Sequence, residues 1–111
     1  MVSHRGCDYQ GGYLLESCEQ QGVQSEKDCE TACTSVDECL GYQYSMNELR
    51  CFLFPSKSKF TSCPNGWQHE HGTNSVMAET FQDLVPSKDD HQSVCYTKFY
   101  LGKIYHCFIH W

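Results

Sequence analysis

The sequence is poor in the residues that usually form a hydrophobic core or cross a membrane. Leu, Ile, Val and Phe together make up less than a fifth of its 111 residues. It contains no apolar run long enough for a membrane-spanning helix. The first residues, 1–7, also lack the apolar centre of a signal peptide. If the protein is secreted, we therefore expect this sequence to be an excised domain, an expression fragment or an incomplete chain.

Basic residues are scarce as well. The chain has 8 Lys and Arg against 14 Asp and Glu, which gives a formal net charge of −6. Phosphates and sulfates are bound by clustered Lys and Arg. The longest basic grouping here, Lys57-Ser-Lys59, is typical of a solvated loop. The charge therefore argues against nucleic acid or a sulfated polysaccharide as the partner.

Cysteine, in contrast, is abundant. Nine cysteines in 111 residues reach the density that is typical of a disulfide scaffold. Such scaffolds persist mainly in oxidising compartments, so we expect a secreted or extracellular protein. A disulfide that closes a loop of roughly 20 residues contributes about 3 kcal/mol in the chain-entropy model. Cross-links would therefore compensate for the small aliphatic core of a single domain.

Local patterns predict one helix followed by a hairpin. Ser25 is a good N-cap, and four residues with helical spacing form an inward face: Cys29, Ala32, Cys33 and Val36. Alternation over residues 39–45 predicts an aromatic strand with Leu40, Tyr42 and Tyr44 on one face. Its partner strand is predicted over 50–54, a short strand over 12–16 and a closing strand over 94–101. Residues 55–75 are typical of a loop, and residues 76–85 fit either a short helix or a strand.

The segment 25–54 resembles the apple/PAN module family, through a helix with Cys-x3-Cys, a third cysteine, an aromatic strand and a fourth cysteine. The matching residues are Cys29, Cys33, Cys39, Tyr42, Tyr44, Cys51 and Leu53. The stretch from Val94 to Lys98 resembles the closing strand of these domains, and the resemblance covers roughly residues 7–101. It implies an α+β domain in which one helix packs on a curved antiparallel sheet. Residues 102–111 form a C-terminal tail of uncertain status.

The resemblance also implies three disulfides. They are Cys29–Cys51, Cys33–Cys39 and, as in apple-type members, Cys7–Cys95. For the cysteines outside this framework, our first hypothesis is a Cys18–Cys63 bond, which leaves Cys107 unpaired. The tail that holds Cys107 could be an intermolecular bridge, a piece of a following domain or non-native sequence, and the odd cysteine count does not choose among these.

Metal binding and catalysis are the less favoured interpretations. The cysteine pairs lack the Cys-x2-Cys spacing of zinc sites, and the pair His69-x-His71 has no acid at helical spacing. A nucleophilic thiol needs a base and an oxyanion donor. No motif arranges the candidate groups in this way: Cys63, Cys107, His69, His71, His106 and His110. We expect no metal, no cofactor and no enzymatic activity.

The resemblance implies adhesion or recognition, through binding of an extracellular protein or a glycan. Aromatic and cationic side chains on a rigid sheet can stack on a sugar or anchor a protein loop. We therefore expect the binding face to lie outside the 102–111 tail and to use Tyr42, Tyr44, Arg50, Tyr96 and Lys98. The alternative is a small secreted effector, such as a protease inhibitor or toxin-like protein, that acts through loop 55–75.

Overall fold

The chain folds into one helix and a set of short strands. The computed structural model describes residues 6–88, 90 and 92–98, and the backbone of 104–105. A 3-10 turn spans Phe81–Asp83. The helix and strands, in chain order, are β1 Cys7–Tyr9, β2 Ser17–Gln21, α1 Glu26–Thr34, β3 Cys39–Ser45, β4 Arg50–Pro55, β5 Gln68–Glu70, β6 Leu84–Pro86, β7 Ser93–Lys98 and β8 Ile104–Tyr105.

Six strands form one antiparallel sheet in the order β5-β2-β4-β3-β7-β8, and β1 pairs with β6 in a separate two-stranded ribbon. The predicted α+β class, with one helix on an antiparallel sheet, is confirmed. The predicted loop 55–75 contains β5, and the ambiguous segment 76–85 contains the 3-10 turn and the start of β6.

The helix begins where the sequence predicts. The Ser25 side chain accepts a hydrogen bond from the backbone N–H of Asp28 at 3.2 Å, which satisfies one of the free donors of the first turn. Cys29 and Cys33 are fully buried against the sheet. One helical face therefore packs inward, as its spacing indicates.

The strand predicted over 12–16 is wrong. Gly11 and Gly12 adopt φ values of 100° and 91°, a left-handed conformation that glycine tolerates and that turns the chain between strands. Tyr13 and Leu14 are then exposed, at 58% and 66%. Only isolated bridges remain in this stretch, from Tyr13 to Tyr9 and from Leu15 to Val76.

The sheet buries a different apolar cluster on each face. The face toward α1 holds the larger cluster, which includes Tyr42, Tyr44, Leu53, Tyr96 and the helix cysteines. The opposite face holds a smaller cluster of Cys7, Phe54, Ala78, Leu84 and Cys95. The thin aliphatic content of the sequence is thus divided between two small cores.

A β-bulge changes the face on which Leu40 lies. Alternation predicts Leu40 on the same face as Tyr42, but the register between β3 and β4 shifts between Cys39 and Gly41. A bulge inserts one extra residue and reverses the alternation before it. Leu40 consequently packs against the cluster opposite the helix, and Cys39 packs on the helix side.

Four disulfides cross-link the described residues. Two of them hold α1 against the β3–β4 hairpin, one ties the first strand to β7, and one ties β2 to the loop before β5. They are Cys29–Cys51, Cys33–Cys39, Cys7–Cys95 and Cys18–Cys63. These are the pairs that the resemblance implies, together with the hypothesised fourth bond. Cys107 lies outside the described residues.

Candidate functional site

Four of the five residues expected to form the binding face are buried. Tyr42, Tyr44, Tyr96 and Lys98 are between 0% and 9% exposed, because α1 covers the sheet face to which they point. The expectation that they form an exposed stacking surface is therefore corrected. Alternation places residues on a common face, but it does not say which face the helix covers.

The buried tyrosines have structural partners. The Tyr42 hydroxyl donates to Glu26 Oε2 at 3.2 Å, and the Tyr44 hydroxyl donates to the Val23 carbonyl at 2.6 Å. The Tyr42 and Tyr96 rings lie 5.2 Å apart. Burial, reinforced by Glu26, raises the pKa of the Tyr42 hydroxyl. These side chains fix the helix to the sheet, since their polar atoms are hydrogen-bonded inside the core.

Arg50 is the exception, because it lies on the sheet face opposite the helix. Its Nε and Nη2 contact Oε2 of Glu19 on the neighbouring strand β2, and its Nη1 lies 3.2 Å from Glu48. The guanidinium carbon is 5.2 Å from the centre of the Phe52 ring. Arg50 is therefore held by two carboxylates and one aromatic ring, with its side chain 32% exposed.

A cleft of about 600 Å³ opens on this face of the sheet. Its floor is formed by residues of three adjacent strands: Ser17 of β2, Gln43 of β3, and Arg50, Phe52 and Phe54 of β4. Phe54 belongs to the apolar cluster on this face, so that cluster closes the cleft at the Phe54 end of β4. The volume is within the range of small-ligand and side-chain pockets in proteins.

The two walls of the cleft each consist of two chain segments bonded to one another. On the β5 side, residues 14–16 pair with Val76 through two backbone hydrogen bonds, which form one isolated bridge. Leu14, Leu15 and Gly72 line the cleft on this side. On the β3 side, the backbone N–H of Gly6 donates to the carbonyl of Asp90, and the backbone N–H of Ser87 donates to the carbonyl of Gly6. Both walls are therefore anchored to the rest of the fold, which presents a largely pre-formed site.

Gln43 joins the floor to the second wall. Its Oε1 accepts the backbone N–H of Cys7 at 2.8 Å, and its Nε2 donates to Asp90 Oδ2 at 3.2 Å. The Cys7–Cys95 disulfide fixes the same wall to β7. A polar side chain with both ends bonded in this way positions backbone as well as carboxylate along the cleft.

The cleft has an acidic lining. It carries the carboxylates of Asp8, Glu70 and Asp90 and one guanidinium, that of Arg50. Glu19, beneath Arg50, is buried. Burial raises the pKa of Glu19 and a hydrogen bond with Glu70 raises it further, while Arg50 lowers it. Because Arg50 is already paired with Glu19 and Glu48, negative charge prevails along the lining.

Of the His69–His71 pair, His71 lines the cleft and His69 lies beside it. His69 Nε2 is 3.0 Å from Glu16 Oε1, and the two imidazole rings are 4.6 Å apart. Among residues 6–88, 90 and 92–98, no three His, Cys, Asp or Glu side chains come together to hold a metal ion. His106, Cys107 and His110 lie outside the described residues, so the structure does not locate them.

Sequence reasoning missed most of the cleft. Arg50, Phe52 and Phe54 alternate along β4, a signal that places them together on one face. The contribution of Leu14 and of Glu70 had no local signal, because their positions depend on tertiary pairing of the 14–16 segment and of β5. Of the five expected binding residues, only Arg50 lines the cleft.

The comparisons with known proteins identify the family. The family model of the PAN domain matches residues 3–98, most of the chain. Neither the curated proteins nor the solved structures contain a significant match. PAN domains are binding modules for proteins or carbohydrates, and a disulfide-rich module of this kind fits an extracellular location. The α-helix in the described part of the chain is too short and too polar to cross a membrane. The resemblance seen in the sequence is thus confirmed, and the chain belongs to the PAN domain family.

Proposed function

We propose that this chain is an extracellular, non-catalytic recognition module that binds its partner in the cleft opposite the helix. The observation that carries the proposal is the asymmetry of the sheet. The helix side is closed by α1 and a packed core, whereas the other side has a cleft of about 600 Å³ with both apolar and polar groups in its lining. Concave sites of this composition are where partners usually bind.

Rigidity supports the same assignment. Cys7–Cys95 ties the second wall to β7, and Cys18–Cys63 ties floor strand β2 to the loop before β5. Few groups therefore have to be ordered on binding, and little conformational entropy is lost. The family supports the same choice, because PAN domains are non-catalytic binding modules. Recognition and adhesion therefore account for the site better than chemistry does.

The deciding experiment is a binding screen of the full chain against extracellular proteins and a glycan array. Gly72 lines the cleft, and a Cβ added there would meet nothing within 4 Å, so Gly72→Trp can narrow the cleft without disturbing the core. Thr31→Trp, at an exposed site on α1, is the matched control. We expect Gly72→Trp to weaken binding by about ten-fold or more and Thr31→Trp to leave it unchanged. The reverse pattern would assign recognition to the helix side.

A further inference from the structure

We infer that the cleft accepts a basic segment of a partner protein, in which a Lys or Arg side chain meets the acidic lining beside an apolar side chain. The inference rests on the proposed function, because it requires the cleft to be the binding site. It specifies the chemistry of the partner, which the family assignment leaves open between protein and carbohydrate.

Charge complementarity gives the first argument. Asp8, Glu70 and Asp90 line the cleft together with His71, and Arg50 is the one Lys or Arg side chain within the described lining. Arg50 is balanced by Glu19 and Glu48, so it offers little positive charge to an incoming anion. A cationic side chain would meet a complementary potential, whereas a sulfated or phosphorylated ligand would be repelled.

The apolar groups give the second argument. Phe52, Phe54 and Leu15 line the cleft, and Leu14 stands at its edge with 66% of its surface exposed. A large aliphatic side chain exposed at the mouth of a cleft can be covered by an apolar side chain of a protein partner. A segment with adjacent basic and apolar residues fits both parts of the lining.

The aromatic rings give the third argument, which separates a protein from a neutral glycan. Sugars bind most readily on an open aromatic face. The Phe52 ring is covered by the Arg50 guanidinium at 5.2 Å, and Phe54 is only 3% exposed. Neither ring therefore offers an open stacking platform, and the accessible apolar contact of the cleft comes from Leu14 and the half-buried Leu15.

The test begins with selection of short random peptides, displayed on phage, against the immobilised full chain at low salt. Among the selected peptides we expect enrichment of Lys or Arg next to Leu, Ile, Met or Phe. In each selected peptide, acetylation of the lysine should reduce affinity. High salt should reduce the affinity as well, because it screens exposed charge pairs.

Two protein variants assign the charge to the cleft. Glu70→Gln keeps the shape of the side chain and its capacity to hydrogen-bond Glu19. We expect this variant to bind the selected peptides about five-fold more weakly than the wild type. Glu79→Gln removes an exposed carboxylate that does not line this cleft and should leave affinity unchanged. Equal affinity for wild type and Glu70→Gln would overturn the inference.

Gly72→Trp distinguishes failure of the inference from failure of the proposed function. Selected peptides that are neutral or acidic, but that lose affinity with Gly72→Trp, would overturn the basic-segment inference and keep the cleft as the site. Basic peptides that bind Gly72→Trp as well as wild type would overturn both. The absence of any enriched peptide also overturns the inference. The proposed function would then still be tested by the screen against glycans.

Discussion

Lys98 of β7 caps the C-terminal end of α1 through the carbonyl of Cys33. Its Nζ donates to the Cys33 carbonyl at 3.1 Å and to the Val36 carbonyl at 3.0 Å. The last carbonyls of a helix lack partners within the helix and carry the negative end of its dipole. Burial lowers the pKa of Lys98, and Asp37 and Glu38 oppose the shift. The residue expected to bind a ligand thus stabilises the helix.

Lys98→Met should therefore destabilise the domain. It removes the charged donor from the Cys33 and Val36 carbonyls, which keep backbone donors from Val36 and Cys39. We therefore expect a cost of about 1 kcal/mol. Urea denaturation followed by circular dichroism measures the change. Lys88→Met, at an exposed position, is the control, and equal stability of the two variants would refute the capping role.

Gly41→Ala should be strongly destabilising, because a Cβ at position 41 would collide with the carbonyl oxygen of Tyr96 and lie 2.6 Å from Leu84 Cδ1. Backbone of β7 would have to move, and overpacking of this kind costs about 1–3 kcal/mol. Gly72→Ala, where a Cβ has open space, should change the free energy of unfolding by no more than about 0.5 kcal/mol. Thermal unfolding of both variants checks the pair, and similar midpoints would contradict the packing of β3 against β7.

The buried carboxyl of Glu19 should give the domain a characteristic pH dependence. Its pKa is raised by burial and by Glu70, so the folded state holds this proton more tightly than the unfolded state. The resulting stabilisation is full below the unfolded pKa and is lost as pH rises through the raised folded pKa.

The comparison of wild type with Glu19→Gln isolates this contribution. The free energy of unfolding of the wild type, minus that of Glu19→Gln, should fall as pH rises from about 4.5, the ordinary value for this group, toward neutrality. Urea titrations at several pH values provide the measurement, with Glu79→Gln as the control for loss of one charge. A difference that stays constant or rises with pH would mean that the Arg50 pair outweighs burial.

The Cys18–Cys63 disulfide should be a large source of stability for the β5 edge of the sheet. It spans a sequence separation of 45 residues, for which the chain-entropy model gives about 4 kcal/mol. We expect the double variant with Cys18→Ala and Cys63→Ala to lose a substantial part of this and to exchange its β5 amides faster. If the double variant unfolds at the same denaturant concentration as the wild type, and its β5 amides exchange at the same rate, this disulfide does not stabilise the β5 edge.

Local signals account for the parts of the fold that the sequence predicted. Ser25 caps the helix through contacts with the next turn, and the one-turn spacing of Cys29 and Cys33 fixes the inward face. Both depend on residues within a few positions of each other. The sequence also predicts the β3–β4 hairpin, because its two strands are adjacent in the chain.

The remaining features depend on distant residues. β5 is three polar residues with no apolar alternation, and it becomes a strand because Cys18 pairs with His69 across the ladder and bonds to Cys63. The burial of Tyr42 depends on α1 docking over its side chain, and the bulge before Gly41 depends on register with β4. Such tertiary contacts override the secondary-structure preferences of single segments.

The surface that contacts a partner can be read from backbone amide shifts in NMR spectra of the full chain. The spectra would be recorded with and without the tightest peptide or protein obtained in the screens. If the cleft is the site, the largest shift changes will cluster at residues that line it, including Leu14, Arg50, Phe52 and Glu70. Exposed positions of α1, such as Thr31, will then change little. Changes concentrated on α1, with the cleft residues unaffected, would contradict recognition at the open face of the sheet.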